Sequence, residues 1–144
     1  MQKNSTEILV HRVAYVGMAV YVLLALLIWL VPDNLHPFIA ISLVGLAATH
    51  ATFLGGIHGG IGLHMDSPTP RKNIALATIP AFLSWIAIIM PAYAGLPLLG
   101  LLLAVWCVVD HKTWPEAGLA AWLPLRLHTT IAAVLSCLMG AAGT

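Results

Sequence analysis

The chain has 144 residues, of which 60% are hydrophobic and 8% charged, with a formal net charge of +1. Soluble domains carry about 25% charged residues, so this chain lacks the side chains to coat itself with water. The net charge itself is uninformative, and no basic stripe points to nucleic acid as a partner. A mean hydropathy of +0.96 makes the lipid bilayer its natural surroundings.

Five apolar segments follow one another, each near the roughly 20 residues needed to cross a bilayer core. The first spans residues 13–31 and stops at Pro32-Asp33-Asn34. Its apolar run is longer than a signal core, and Val31-Pro32-Asp33 is no small-residue cleavage site, so it reads as a retained anchor. The second, residues 36–64, is longer than the core is thick and should tilt, kink near Gly55-Gly56 or protrude. The third, 74–90, contains Pro80 and ends at Pro91; the fourth, 95–109, carries Pro97 in its first turn; the fifth is 125–142. Between the last two, Trp114 and Trp122 suit the headgroup layer, and Trp114-Pro115-Glu116 could start a short surface helix. The fold class is therefore an all-α, polytopic bundle of five transmembrane helices forming a single membrane domain over 1–144.

Lys and Arg set the orientation. Lys3 and Arg12 precede span one, Arg71 and Lys72 lie between spans two and three, and Lys112 and Arg126 between spans four and five. All fall on one side of a five-span chain, which puts the N-terminus in the cytoplasm and the C-terminus across the membrane. The chain reads as a multi-pass membrane protein.

Residues 55 to 62 read Gly-Gly-Ile-His-Gly-Gly-Ile-Gly. In a membrane helix such glycines let a neighbouring backbone approach closely, so Gly55, Gly56, Gly59, Gly60 and Gly62 are helix-packing candidates. Gly55, Gly59 and Gly62 share one stripe, and His58 sits about 60° from Gly55. Ionisable residues inside a bilayer are functional candidates. Asp110 closes span four and Arg126 opens span five, followed by His128, Thr129 and Thr130. Acid and base at facing helix ends can pair, with His58 completing a buried network. The plainer reading is that Asp110 and Arg126 flank the bilayer and meet water. Seven histidines raise haem or metal ligation. His58 with His128 is the one pair at matching depth for a haem, and no Cys-x-x-Cys, His-x-x-Glu-His or carboxylate triad supports a metal. Cys107 and Cys137 read as small buried apolar residues at different depths.

The segments Phe53-Leu54-Gly55-Gly56-Ile57-His58-Gly59-Gly60, Asp110 and Leu123-Pro124-Leu125-Arg126-Leu127-His128-Thr129-Thr130 resemble domain-of-unknown-function family 3429. That family takes in bacterial inner-membrane proteins and the mitochondrial transmembrane protein 69. By position, His58, Asp110, Arg126 and Thr130 match the family's polar residues. Gly59 stands where its signature has Trp, and the Tyr that precedes its Leu-Arg is missing. The resemblance implies topology and location rather than a reaction.

With no nucleophile constellation and no soluble domain, the leading reading is an accessory, assembly or ligand-binding subunit of an energy-transducing membrane, not an enzyme. Its partners would be the bilayer, other membrane subunits or further copies of itself. Two alternatives stand beside it. One is a site for a hydrophobic cofactor, a quinone rather than a haem, with His58 bonding a carbonyl. The other is a small proton-linked transporter or channel relaying through His58 and Asp110. Alkaline phosphatase and fluorescent-protein fusions at Gln2 and Thr144 should report opposite sides; a cytoplasmic Thr144 fusion would overturn the five-span orientation.

Overall fold

The computed structural model describes residues 2–64 and 69–144. Residues 65–68, in the connection between spans two and three, lie outside the described set, as do the side chains of residues 2–4, Lys3 among them. The elements are α1 (Gln2–Leu30), α2 (His36–Leu63), α3 (Pro70–Ile89), α4 (Ala92–Thr113) and α5 (Leu123–Ala142), with no strand among the described residues. Single turns of 3₁₀ helix, Asp33–Leu35 and Ala120–Trp122, precede α2 and α5. All five long helices are apolar and long enough to cross a membrane, and the protein is a multi-pass membrane protein.

The helices outrun the apolar windows where no residue breaks them. From Gln2 to Val13 there is neither Gly nor Pro, so α1 continues through its polar first turns. Arg71 and Lys72, expected in a loop, occupy the first turn of α3, started by Pro70, whose missing N–H costs nothing there. In α4 the start at Ala92 moves Pro97 out of the first turn, leaving the Tyr93 carbonyl without a helical donor. The surface helix expected from Trp114 does not form. Trp114 instead caps α4, its N–H donating to the Asp110 carbonyl at 2.9 Å, and Gly118 at φ 75° turns the chain toward α5. α2 runs unbroken through Gly55-Gly56.

α2 is the central helix and touches all four others. α1 and α5 run side by side in the same direction. His11 lies against Trp122 at one end, ring centroids 5.9 Å apart, and the Trp29 indole donates to the Met139 carbonyl at the other. Leu43, Leu96, Leu99 and Leu103, with Ile28 from α1, fill the middle of the bundle. α1 contributes Tyr21, Ala25 and Ile28 to this core, one face of its second half. Its first half buries no apolar side chain, and Leu9 and Val13 are exposed.

The glycine stripe of α2 lies on α3. A Cβ at Gly55 would stand 2.7 Å from the Ala77 carbonyl oxygen and 3.1 Å from the buried Pro80 ring, and one at Gly62 would meet Ile74 and the Pro70 carbonyl at 3.0 Å. Lipid gives apolar helices no hydrophobic drive to associate, so this close approach is what dispersion and shape can supply. At Gly59 the contact is an ordinary 3.4 Å to the Ala77 Cβ. Gly56 and Gly60 have nothing within 4 Å and take no part in the packing expected of them, because they lie on the faces of α2 turned away from α3. Gly55→Leu should therefore lower the melting temperature in detergent, by an overpacking cost of about 1–3 kcal/mol or more, while Gly56→Leu should leave it unchanged. Equal melting of the two variants would remove the close α2–α3 contact.

Candidate functional site

Three helices converge on Asp110. It lies three residues inside the end of α4, and its side chain is 0% exposed. His58, five residues before the end of α2, donates from Nε2 to Asp110 Oδ1 at 2.9 Å and is also 0% exposed. A carboxylate only accepts, so the proton of this bond sits on the imidazole Nε2. Arg126, three residues into α5, donates from Nε to Asp110 Oδ2 at 2.6 Å. Both carboxylate oxygens are thus engaged from two other helices by charge-assisted bonds.

Thr130 extends the network. One turn on along α5, its hydroxyl accepts from Arg126 Nη1 and donates to the Arg126 carbonyl. Thr129 also donates to that carbonyl, at 2.9 Å. Four of the residues singled out in the sequence, His58, Asp110, Arg126 and Thr130, form one buried cluster. The reading of Asp110 and Arg126 as water-facing flanks is overturned by their burial. His128 is not in the cluster. Two residues beyond Arg126 on a helix it points to the opposite face, and it is exposed. The haem pair His58–His128 therefore does not converge.

Two tryptophans bracket the triad along α4, at i−4 and i+4 from Asp110. The Trp106 ring stands edge-on to His58, centroids 6.2 Å apart at 90°, and Trp114 is 6% exposed. Trp114 was expected in the headgroup layer; the Trp106–Asp110–Trp114 spacing, one stripe of a helix, was the signal for a different role. Five buried side-chain atoms have no hydrogen-bond partner among the described residues. They are His58 Nδ1, Arg126 Nη2, Trp106 Nε1, Trp114 Nε1 and Ser84 Oγ. Native interiors leave few such groups, and each asks for an explanation.

Beside the triad lies a half-open apolar groove of about 650 Å³, lined by the first half of α1, α2, α5 and the turn after α4, with Leu9, Val13 and Phe53 of its lining exposed. Arg126, Thr129 and Trp114 are in its wall near one end, and Tyr21 and His50 at the other. The Tyr21 hydroxyl and His50 Nδ1 are bonded across α1 and α2 at 3.1 Å. This pair was not foreseen; a tyrosine in the middle of an apolar span, where its hydroxyl must find a partner, was the clue to it. The remaining wall is aliphatic and aromatic, Val13, Leu46 and Phe53 for example. Three further histidines bond locally. His11, His36 and His111 meet the carbonyls of Glu7, Val31 and Cys107.

A family model for a protein of unknown function, DUF3429, matches residues 6–142. The chain belongs to this family. It matches no curated protein and no solved structure. What this DUF3429 protein offers is its geometry: a three-helix ionic cluster with Trp106 edge-on to His58 and with Arg126 also lining an apolar groove.

Removing one partner of a buried ion pair costs about 3–5 kcal/mol, because the other charge stays buried alone. Arg126→Gln should therefore melt well below the parent protein in detergent, and Asp110→Asn combined with Arg126→Gln should recover part of that loss. Additive losses in the double variant would show that the two side chains are energetically independent.

Proposed function

We propose that this DUF3429 protein is an accessory subunit of a bacterial inner membrane that binds a hydrophobic ligand in the apolar groove beside Arg126. Its N-terminus and the Asp110 cluster would lie on the cytoplasmic side, the side on which Lys and Arg gather. The observation that carries this reading is the 650 Å³ groove. Small-molecule sites are mostly apolar clefts or cavities of about 300–1,000 Å³ with a few placed polar groups, and this one fits that description.

The position of the groove also revises the cofactor alternative. His58 is not in the wall, so it cannot meet a bound head group. A proton-linked role keeps one observation in its favour, the bond of 2.9 Å between His58 and Asp110. That pair lies behind Arg126 and Trp106, away from the groove wall, and ligand binding remains the better supported reading.

Gly17 offers a clean test. It lines the groove, and a Cβ there would meet nothing within 4 Å, so a larger side chain projects into space rather than into a neighbour. Purified protein should carry a lipid-soluble molecule detectable by mass spectrometry of organic extracts. Gly17→Leu should fold and lose that molecule, and should melt at the same temperature as the parent protein once both are stripped of ligand. Extracts identical in kind and amount from both proteins would sink the proposal.

A further inference from the structure

His50 sets an imidazole near the middle of the bilayer. It lies midway along α2 (His36–Leu63), about 20 Å from either end. Leu46, His50, Phe53, Leu54 and Ile57 form the α2 side of the groove, one helix face with the half-buried His50 near its centre. Tyr21 fixes which ring nitrogen carries the proton. Its buried hydroxyl bonds Nδ1 of His50, at 3.1 Å, and has no other acceptor among the described residues. The hydroxyl therefore donates, Nδ1 accepts, and the hydrogen of the neutral imidazole sits on Nε2. That nitrogen bonds nothing among the described residues, yet it is not one of the five sealed atoms named above, so it keeps open surface. Hydrocarbon offers an N–H no acceptor, and leaving it unmet is costly. We propose that His50 Nε2–H is the donor to a ring carbonyl of a quinone lying in the groove at mid-bilayer depth. The inference rests on the groove being a ligand site and adds the head group and its place.

Depth, charge and shape select the occupant. The ester carbonyls of a glycerolipid sit in the interfacial layer, about 15 Å from the midplane, and do not reach His50. The single Lys or Arg among the described lining residues, Arg126, is tied to Asp110. An anionic head at mid-bilayer depth would have no counter-charge there. A haem iron or other metal needs Nε2 bare, which the Tyr21 bond denies. A neutral planar ring suits the surroundings. The Tyr21 and His50 ring centroids are 5.8 Å apart, and Phe53, one turn further along α2, stands 65% exposed in the lining. From Tyr21 the groove follows α1 to Leu9, twelve residues and so about 18 Å, a length for an apolar tail.

The test titrates short-tailed ubiquinone and menaquinone analogues, dioctanoylglycerol and octanoic acid into delipidated protein in detergent. Binding is read by calorimetry, and His50 by the ring signals of ¹⁵N-histidine-labelled protein, assigned by their loss in His50→Gln. Before ligand is added the spectrum should show the Nε2–H tautomer; a bare Nε2 overturns the proposal. A quinone should bind, move the His50 Nε2–H signal and lower the infrared stretch of its own ¹³C-labelled carbonyl. Tyr21→Phe combined with His50→Phe removes both partners of one hydrogen bond and orphans neither, so the double variant should fold. It should bind the quinone about fivefold more weakly, the worth of one neutral hydrogen bond, and leave the carbonyl stretch unshifted. His50→Gln, whose amide accepts from Tyr21 and donates to a ligand, should keep the carbonyl shift. A quinone that binds without moving the His50 signal, yet is displaced by Gly17→Leu, overturns the His50 contact and leaves the groove reading standing. Preference for dioctanoylglycerol or octanoic acid overturns the quinone. Failure of every probe to bind brings down the groove reading itself, and this inference with it.

Discussion

Burying the Asp110 carboxylate is the most expensive placement in this bundle, and the arrangement of three helices answers it. An ion of that size loses several kcal/mol of hydration inside a protein, recovered only where the geometry is good and the remaining lone pairs are met. His58 from α2 meets one oxygen and Arg126 from α5 the other. Slippage of any of the three helices by even one residue, about 1.5 Å, would break one of these bonds. The cluster thereby fixes register among α2, α4 and α5. Apolar helices in lipid cannot obtain that from hydrophobicity, because lipid tails are as apolar as leucine.

The fourth helix is held by other means. α3 packs on α2 through Gly55 and Gly62, where backbone meets the Ala77 and Pro70 carbonyls and the Pro80 ring, and no buried charge is involved. α1 has neither device along its first half. It joins the core from Tyr21 onward, and before that point its side chains are exposed or face the groove. The groove thus follows from an uneven distribution of adhesive features. It lies where the most loosely held helix passes over the polar cluster, and there small changes in the position of α1 would cost least.

Much of this was legible beforehand because composition and periodicity constrain a membrane helix strongly. Five apolar stretches of bilayer length gave five helices, and a glycine stripe three and four residues apart gave the α2–α3 contact. His58, Asp110, Arg126 and Thr130 stood out because charged and polar residues in apolar spans need partners. What escaped were properties that depend on the third dimension. Gly56 and Gly60 are chemically the same as Gly55, and only the direction of α3 separates them. His128 shares its span and depth with Arg126, but a rotation of two residues on the helix removes it from the cluster. Trp114 was assigned to the interface by residue type, whereas its place one turn after Asp110 buries it. The groove left no local mark in the sequence, since its wall is apolar, like nearly every other surface of this chain.

Arg126 belongs to two structures at once, and this bears on why the cluster is ionic. A buried ion pair is weak evidence for stability, because apolar side chains of similar volume often serve as well or better. If register were the whole purpose, a guanidinium would be an extravagant choice, since its Nη2 finds no acceptor among the described residues. A guanidinium does what an apolar residue cannot: it satisfies Asp110 with one nitrogen and Thr130 with another. A ligand held in the groove against Arg126 would lower the free energy of the assembled bundle by its binding energy, so the folded state and the loaded state would favour one another.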